Sequence, residues 1–570
     1  MLGPALLLAV ASAAGEDGGG GFMRPDGPVR SWDAGAPQAM LPTPGAPYSR
    51  PAPWRSPAGT VERGELAPVV AEDGSGLPLE LWQGLNLTEL EGLLAGLELP
   101  PRSFALHQLW RRMLLATANP PVGVGDGEHF TALRLEALYR SGLLDDMAEL
   151  LRAQPAGPII RALSARLDIG LGRRDVGCQT IKALASPRSG LPGRLKGETQ
   201  LLVGYCTAAA GDGAAAGLAV ELAREEGFDA ELPLAVLAGV AAASTPKPPL
   251  PERVLLLDYR FLELLGPVDA QQLLARAEPA LLVALAQARG IDARLQVTAM
   301  EAALELNALP AEAAREAYRR LAAAEPGDPE RQADPRQRRA LLFHALELAR
   351  APLQRARLLR TLIDEAKTSE LRAALARLLA PQLEGLVPSP DLAWFAETAI
   401  EIALAASDYG HARAWASGHP PWQALIDVAD TERGAAPPPS LAAMTEFARS
   451  RLDAQTLDRL ATLLDALDVD VPIALWDAAG RTPQPSGGYL PETGVLAELA
   501  EAAKRGEVGR TILLAMRALG PYGPGGAHVL ALGDAVRALN RVRLYADAWR
   551  LALEALLPAW PRAAQWGRVR

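Results

Sequence analysis

The chain has 570 residues, 49% of them hydrophobic and 22% charged, with a net charge of −10. That much apolar material excludes a wholly disordered chain. The acidic balance argues against general nucleic-acid binding, which wants a basic footprint. Alanine makes up roughly a fifth of the chain and aromatics only 5%, a mix that favours helix and excludes a large β-sandwich or barrel. Only five of the 57 basic residues are Lys, a bias that a GC-rich genome accounts for.

In chain order, residues 2–14 form a short apolar run that ends in Ala11-Ser12-Ala13-Ala14. Its length and small-residue exit predict a secretory signal at 1–14, too short to span a bilayer, although no Lys or Arg precedes it. A start at Met23 is the alternative and implies a cytoplasmic protein. No other uncharged apolar run is long enough to cross a bilayer, so no stable membrane insertion is expected once the signal is removed. Residues 15–77 are rich in Gly and Pro and predict a flexible, disordered tether. Trp32, Tyr48 and Trp54 are its stray aromatics.

From residue 78 the pattern is helix after helix. Asn86-Leu87-Thr88-Glu89 has the form of a capping box, and Leu87, Leu90, Leu93, Leu94 and Leu97 mark one face. Gaps without helical pattern fall near 245–252, 325–335, 418–439 and 480–493. They divide the array into 78–244, 252–417 and 439–570. Several helix pairs share a spacing: a small residue, a turn Gly, then small and apolar residues. It occurs at Gly204, Gly211, Ala216, Val220 and Ala223, and at Ala165, Gly172, Gly177, Ile181 and Leu184. It recurs at Asp408, Tyr409, Ala412 and Ala416, and at Leu539, Tyr545, Ala548, Ala552 and Ala555. Leu138, Gly142, Met147 and Leu151 fit less well, because Met147 stands where a small residue belongs.

This order of small and large residues resembles a divergent tetratricopeptide helix-turn-helix, across about a third of the chain. The turn glycines Gly142, Gly172 and Gly211 are unevenly spaced instead of keeping that family's fixed period, and most of the motif's large aromatics are missing. An irregular helical solenoid outside that family is the alternative. Both imply an all-α fold, an αα-superhelix with a concave surface. Leu109-Trp110-Arg111-Arg112, residues 137–143, Tyr205-Cys206 and residues 222–227 are also similar to a family of uncharacterised secreted bacterial helical proteins. Some of these carry the label "antifreeze glycopeptide polyprotein". No Ala-Ala-Thr repeat of an antifreeze glycopeptide occurs here.

Chemical motifs are sparse. The six histidines are His107, His129, His344, His411, His419 and His528. His344 and Glu347 share a helix face, but two ligands make no metal site. Gly123-Val124-Gly125-Asp126-Gly127 follows two prolines rather than a strand, so it reads as a bare loop rather than a phosphate cradle. Leu490-Pro491-Glu492-Thr493-Gly494 spells a sortase motif, without the hydrophobic segment that a working one needs close behind. Arg331, Arg336, Arg338, Arg339, Arg350, Arg355, Arg357 and Arg360 read as a solvated helical face with nearby acids, or as a patch for an anionic partner. No catalytic residue, cofactor or metal site is expected.

Cys178 and Cys206 are the only cysteines. A turn near 187–194 places them about nine and twelve residues from it on neighbouring helices, at nearly the same height. That predicts a disulfide in an oxidising compartment; two buried thiols are the alternative. The expected role is an exported, non-catalytic helical-repeat scaffold, periplasmic or secreted, that binds a protein partner. An enzyme acting on cell-wall glycan is the second expectation, for which a deep cleft with two facing carboxylates would speak. A purely structural envelope protein is the third.

Overall fold

The computed structural model describes residues 73–123, 127–184, 190–243, 248–430, 438–481 and 487–562. All lie in one unit, Val69–Arg570. The expected signal at 1–14 and nearly all of the tether lie outside these residues. Packing begins a little before residue 78: Ser75 and Leu77 are buried, and Arg112 donates to the Ser75 carbonyl at 3.0 Å.

The fold is all-α. Among the described residues there is no strand, only isolated bridges at Asn86–Val122, Val254–Ala277 and Tyr489–Ala527. The helix Leu87–Ala95 carries its capping box: the Asn86 carboxamide oxygen accepts from the Glu89 N–H at 2.9 Å, and the Glu89 carboxylate accepts from the Asn86 N–H at 3.3 Å. Leu90 and Leu94 are its buried face, and Leu97, just past its end, is buried as well.

One turn recurs through the array. Gly142, Gly172 and Gly211 take left-handed φ values of 73°, 80° and 85°. After each, the next N–H reaches back to a carbonyl at the end of the preceding helix: Leu143 to Leu138 at 3.0 Å, Arg173 to Asp168 at 2.8 Å and Asp212 to Thr207 at 2.9 Å. This is a Schellman turn, which satisfies the orphan carbonyls of one helix and starts its neighbour at once. The same bond closes turns where the left-handed residue is not Gly: Ala308 to Ala303 after Asn307, Asp408 to Ala403 after Ser407, and Leu544 to Leu539 after Arg543. Asp212 and Asp408 then cap the following helices.

Small residues sit at the close crossings. A side chain at Gly204 would come within 2.6 Å of Leu237 and 3.0 Å of Ala219, and one at Gly177 within 2.6 Å of Ile169. Met147 is fully buried. One gap needs correction. Residues 418–439 contain the helix Pro420–Asp430, with buried Trp422, Leu425 and Ile426. Pro420 and Pro421 open its first turn, where a missing N–H costs nothing; prolines there start a helix instead of ending one.

The core follows two plans. A small cluster around Ile181, Leu202, Tyr205, Val220 and Phe261 draws on residues between Ala165 and Leu262. A much larger one runs from Leu77 to Trp560 through all three expected arrays. Helices near the two ends of the described chain also meet: Phe104–Leu115 packs on Tyr545–Leu556. Gly509 donates to the Leu81 carbonyl at 2.9 Å, and Arg510 pairs with Glu89 at 2.8 Å. A purely sequential stack of repeats has contacts only between neighbours; here the described ends also contact each other.

Candidate functional site

A cleft of about 680 Å³ lies beside this seam. One wall is the segment 96–103, between the first two helices. A second comprises residues 252–253, 275–279 and Leu306. A third comprises Tyr489 and residues from Met516 to Gly523. Two of the isolated bridges brace these walls. Val254 N–H donates to the Arg276 carbonyl at 2.8 Å, and Tyr489 N–H to the Gly526 carbonyl at 2.8 Å. The Tyr489 ring lies over Gly520, where any side chain would collide with it.

Charge in the cleft comes from four arginines and three glutamates. Arg253 and Glu278 neutralise each other at 2.7 Å. The Arg276 guanidinium is held by the carbonyls of Leu250 (2.6 Å) and Pro251 (3.3 Å), which fix it without cancelling its charge. Arg102 and Arg517 form no ion pair with any described residue, and neither do Glu98 and Glu252, so the lining as a whole carries one positive charge in excess, four arginines against three glutamates. The remaining lining is largely Leu99, Pro100, Pro101, Leu306, Pro521 and Gly.

Behind Arg102 the seam is polar. The half-buried Glu554 carboxylate, from the last long helix, accepts from the Ser103 hydroxyl (2.8 Å) and from the N–H groups of Phe104 (2.8 Å) and Ala105 (3.1 Å). It thereby caps a helix from the opposite end of the described chain. The negative charge suits the positive end of the helix dipole. Desolvation nonetheless pushes the Glu554 carboxyl upward, against those three bonds. The Arg377 guanidinium stacks 4.0 Å from the Phe104 ring and donates to the Asn307 side-chain oxygen at 2.5 Å. Asn307 in turn donates to the Arg102 carbonyl at 3.2 Å. Burial lowers Arg377 to about 10. One turn along the helix, His107 is fully buried with its Nδ1 unpartnered. Desolvation, then Arg377 and Arg111, depress it to about 3, so it stays neutral.

Cys178, on Arg174–Leu184, and Cys206, on Gly193–Ala209, are joined as a disulfide with Cα atoms 5.7 Å apart, within the range such a bond requires. Neither lies at the cleft. The other motifs disperse. His344 is exposed, and the Glu347 carboxylate is held by Arg319 at 2.8 Å. His411 Nδ1 meets the capping Asp408 at 2.7 Å. Of the 123–127 loop only Gly123 and Gly127 are described, and Gly127 opens a helix. Thr493 begins the helix Thr493–Arg505.

Of the arginines between 331 and 360 only Arg339 is buried; Arg331, Arg350 and Arg357 are exposed, and Arg336, Arg338, Arg355 and Arg360 are half-buried, most of them beside an acid or a carbonyl. Arg339 forms a buried two-bond pair with Glu301, which also accepts from the Tyr318 hydroxyl at 2.8 Å. Arg338 pairs with Glu365 at 3.0 Å, and Arg355 donates to the Gln382 carbonyl at 2.7 Å. Sequence reasoning missed Arg102, Arg276, Arg517, Asn307 and Glu554. No local spacing marks them, because each acquires its role through partners or facing walls far away in the chain.

Among the described residues no helix is long and apolar enough to cross a membrane. No family model matches the chain, and neither a curated protein nor a solved structure matches it.

Proposed function

We propose that the chain is an exported, non-catalytic helical scaffold, periplasmic or secreted, that binds a protein partner in the seam cleft. The cleft carries the reading. It is concave, walled by proline and leucine, and supplied with arginines from three separated segments; of these, Arg102 and Arg517 have no carboxylate partner among the described residues. Arginine is the basic side chain best suited to hold carboxylates, with a planar fork of donors. With Arg102, Arg276 and Arg517 set against Glu98 and Glu252 once Arg253 and Glu278 have cancelled, the lining keeps one positive charge in excess, and the partner segment we infer is an acidic one that also carries apolar residues for Leu99, Pro100 and Tyr489. Export is supported by the Cys178–Cys206 bond, since such bonds persist in oxidising compartments.

The test is affinity capture from envelope extract with the wild-type chain and an Arg102→Glu/Arg517→Glu double variant. The same protein should be captured reproducibly by the wild type and lost by the double variant. Capture indifferent to the reversal removes the cleft from the function. N-terminal sequencing of protein from the native host should begin near Gly15; a retained Met1 or a start at Met23 overturns export.

A further inference from the structure

The segment that forms one cleft wall is also the segment that closes the seam. Arg102 lines the cleft and Ser103 follows it; both face Gly523, where an added Cβ would stand 3.3 Å from the Ser103 N and 3.4 Å from the Arg102 Cβ. Ser103 is thus pressed between Gly523 on the cleft side and Glu554 on the seam side. The Arg102 carbonyl is tied to Asn307, and Asn307 to Arg377. The opposite wall, with Arg517, belongs to the C-terminal helices. If the first helices lift from the last, Arg102 and Arg517 no longer face one space.

We propose that the cleft is a conditional site: it holds its acidic partner segment only while Glu554 caps Ser103–Ala105, so partner binding and seam closure are linked equilibria. This rests on the cleft reading above. Glu554 touches no partner and acts as a positioning residue through Ser103. The charged group that acts directly on its carboxylate is Arg377, on Ser369–Leu379; His107 and Arg112 lie on the helix that it caps, and Asp547, which meets Arg112 and Arg550, lies on its own helix. Arg459 also faces this end, donating to the Ala555 carbonyl at 3.1 Å. Linkage is reciprocal. A ligand in the cleft must therefore protect the seam, including Tyr545–Leu556, which contributes no residue to the cleft lining.

The probe is a fluorescein-labelled hexaglutamate peptide, with binding followed by anisotropy and seam closure by amide hydrogen exchange. In the wild type, saturating peptide should slow exchange in residues 545–556 as well as in 97–110. Glu554→Gln keeps the shape but turns an NH2 group toward a backbone N–H. It should speed exchange in both segments and weaken binding at least tenfold, with Ser103→Ala intermediate. Peptide that binds the wild type and depends on Arg102 and Arg517, yet leaves 545–556 unprotected, overturns the linkage and leaves the cleft reading standing. So does undiminished binding by a Glu554→Gln protein whose seam exchanges faster. Absent or charge-insensitive binding to the wild type overturns the acidic-segment reading, and the linkage with it.

Discussion

The cysteine-clipped lobe, residues 158–241, and the seam are built on opposite principles. In the lobe, helices meet across left-handed glycines at 172, 211 and 227, and small residues set their separation. Its one crosslink spans only 28 residues. In the seam the partners lie up to 451 residues apart, and much of the contact is charged: Glu554 on Ser103, Arg112 on Asp547, Arg510 on Glu89. The lobe's contacts should therefore form before those of the seam, which waits for the whole chain. Local contacts cost little loop-closure entropy, and distant ones cost more. The lobe is held by local contacts and a crosslink, the seam by long-range polar contacts, and the proposed conditional cleft borders the seam.

Reducing the disulfide should test that contrast most strongly. The chain-entropy model assigns a crosslink of this span about 3.5 kcal/mol. Cys206→Ser should therefore speed amide exchange through 174–225 and leave 104–115 unchanged. Equal loosening at the seam would mean that the two regions are one cooperative unit.

Acid should separate the regions by sign. His107 is neutral in the fold at about 3, whereas an unfolded chain takes up its proton near 6.5. The unfolded state thus binds more protons between those values, and the stability that His107 confers falls as pH falls through that window. From pH 7.5 to 4.5 the loss is roughly 3 kcal/mol, and the raised Glu554 opposes part of it. Asp258, beside the lobe on Leu256–Glu263, is pushed up to about 6 by burial. There the fold holds the proton, so stability rises as pH falls from about 6 toward 4. Exchange measured at pH 7.5 and 4.5 should show the seam loosening and residues 255–263 tightening. His107→Gln should abolish most of the seam's acid response; an unchanged response would show that His107 does not set it.

Within the lobe, Gly204→Val forces methyl groups against Leu237 and Ala219. Overpacking of this kind costs about 2 kcal/mol, read as a lower thermal midpoint. The smallest effect is at a turn. Gly211 has open space around it but φ of +85°, so Gly211→Ala should cost about 1 kcal/mol through backbone strain alone. A loss much above that would mean that the turn carries tertiary contacts too.

Which parts could be read from the chain follows from the same contrast. Alanine and leucine content determined helix, because propensity is a per-residue property. The capping box at Asn86, the turn glycines at 142, 172 and 211, and the meeting of Cys178 with Cys206 were legible because each depends on residues close together in the chain. The left-handed turns at Ser407 and Arg543 were not, since a residue with a Cβ other than Asn or Asp rarely adopts that conformation and gives no signal of it, and the one at Asn307 is marked by a single residue only. The helix Pro420–Asp430 was hidden by prolines that act differently at a first turn than inside a helix. The cleft and the seam were decided by tertiary structure alone. Arg102, Asn307, Arg377, Arg517 and Glu554 have no spacing in common. What brings them together is closure of the last helices on the first, and that contact is selected by the fit of whole helix faces rather than by any short run of residues.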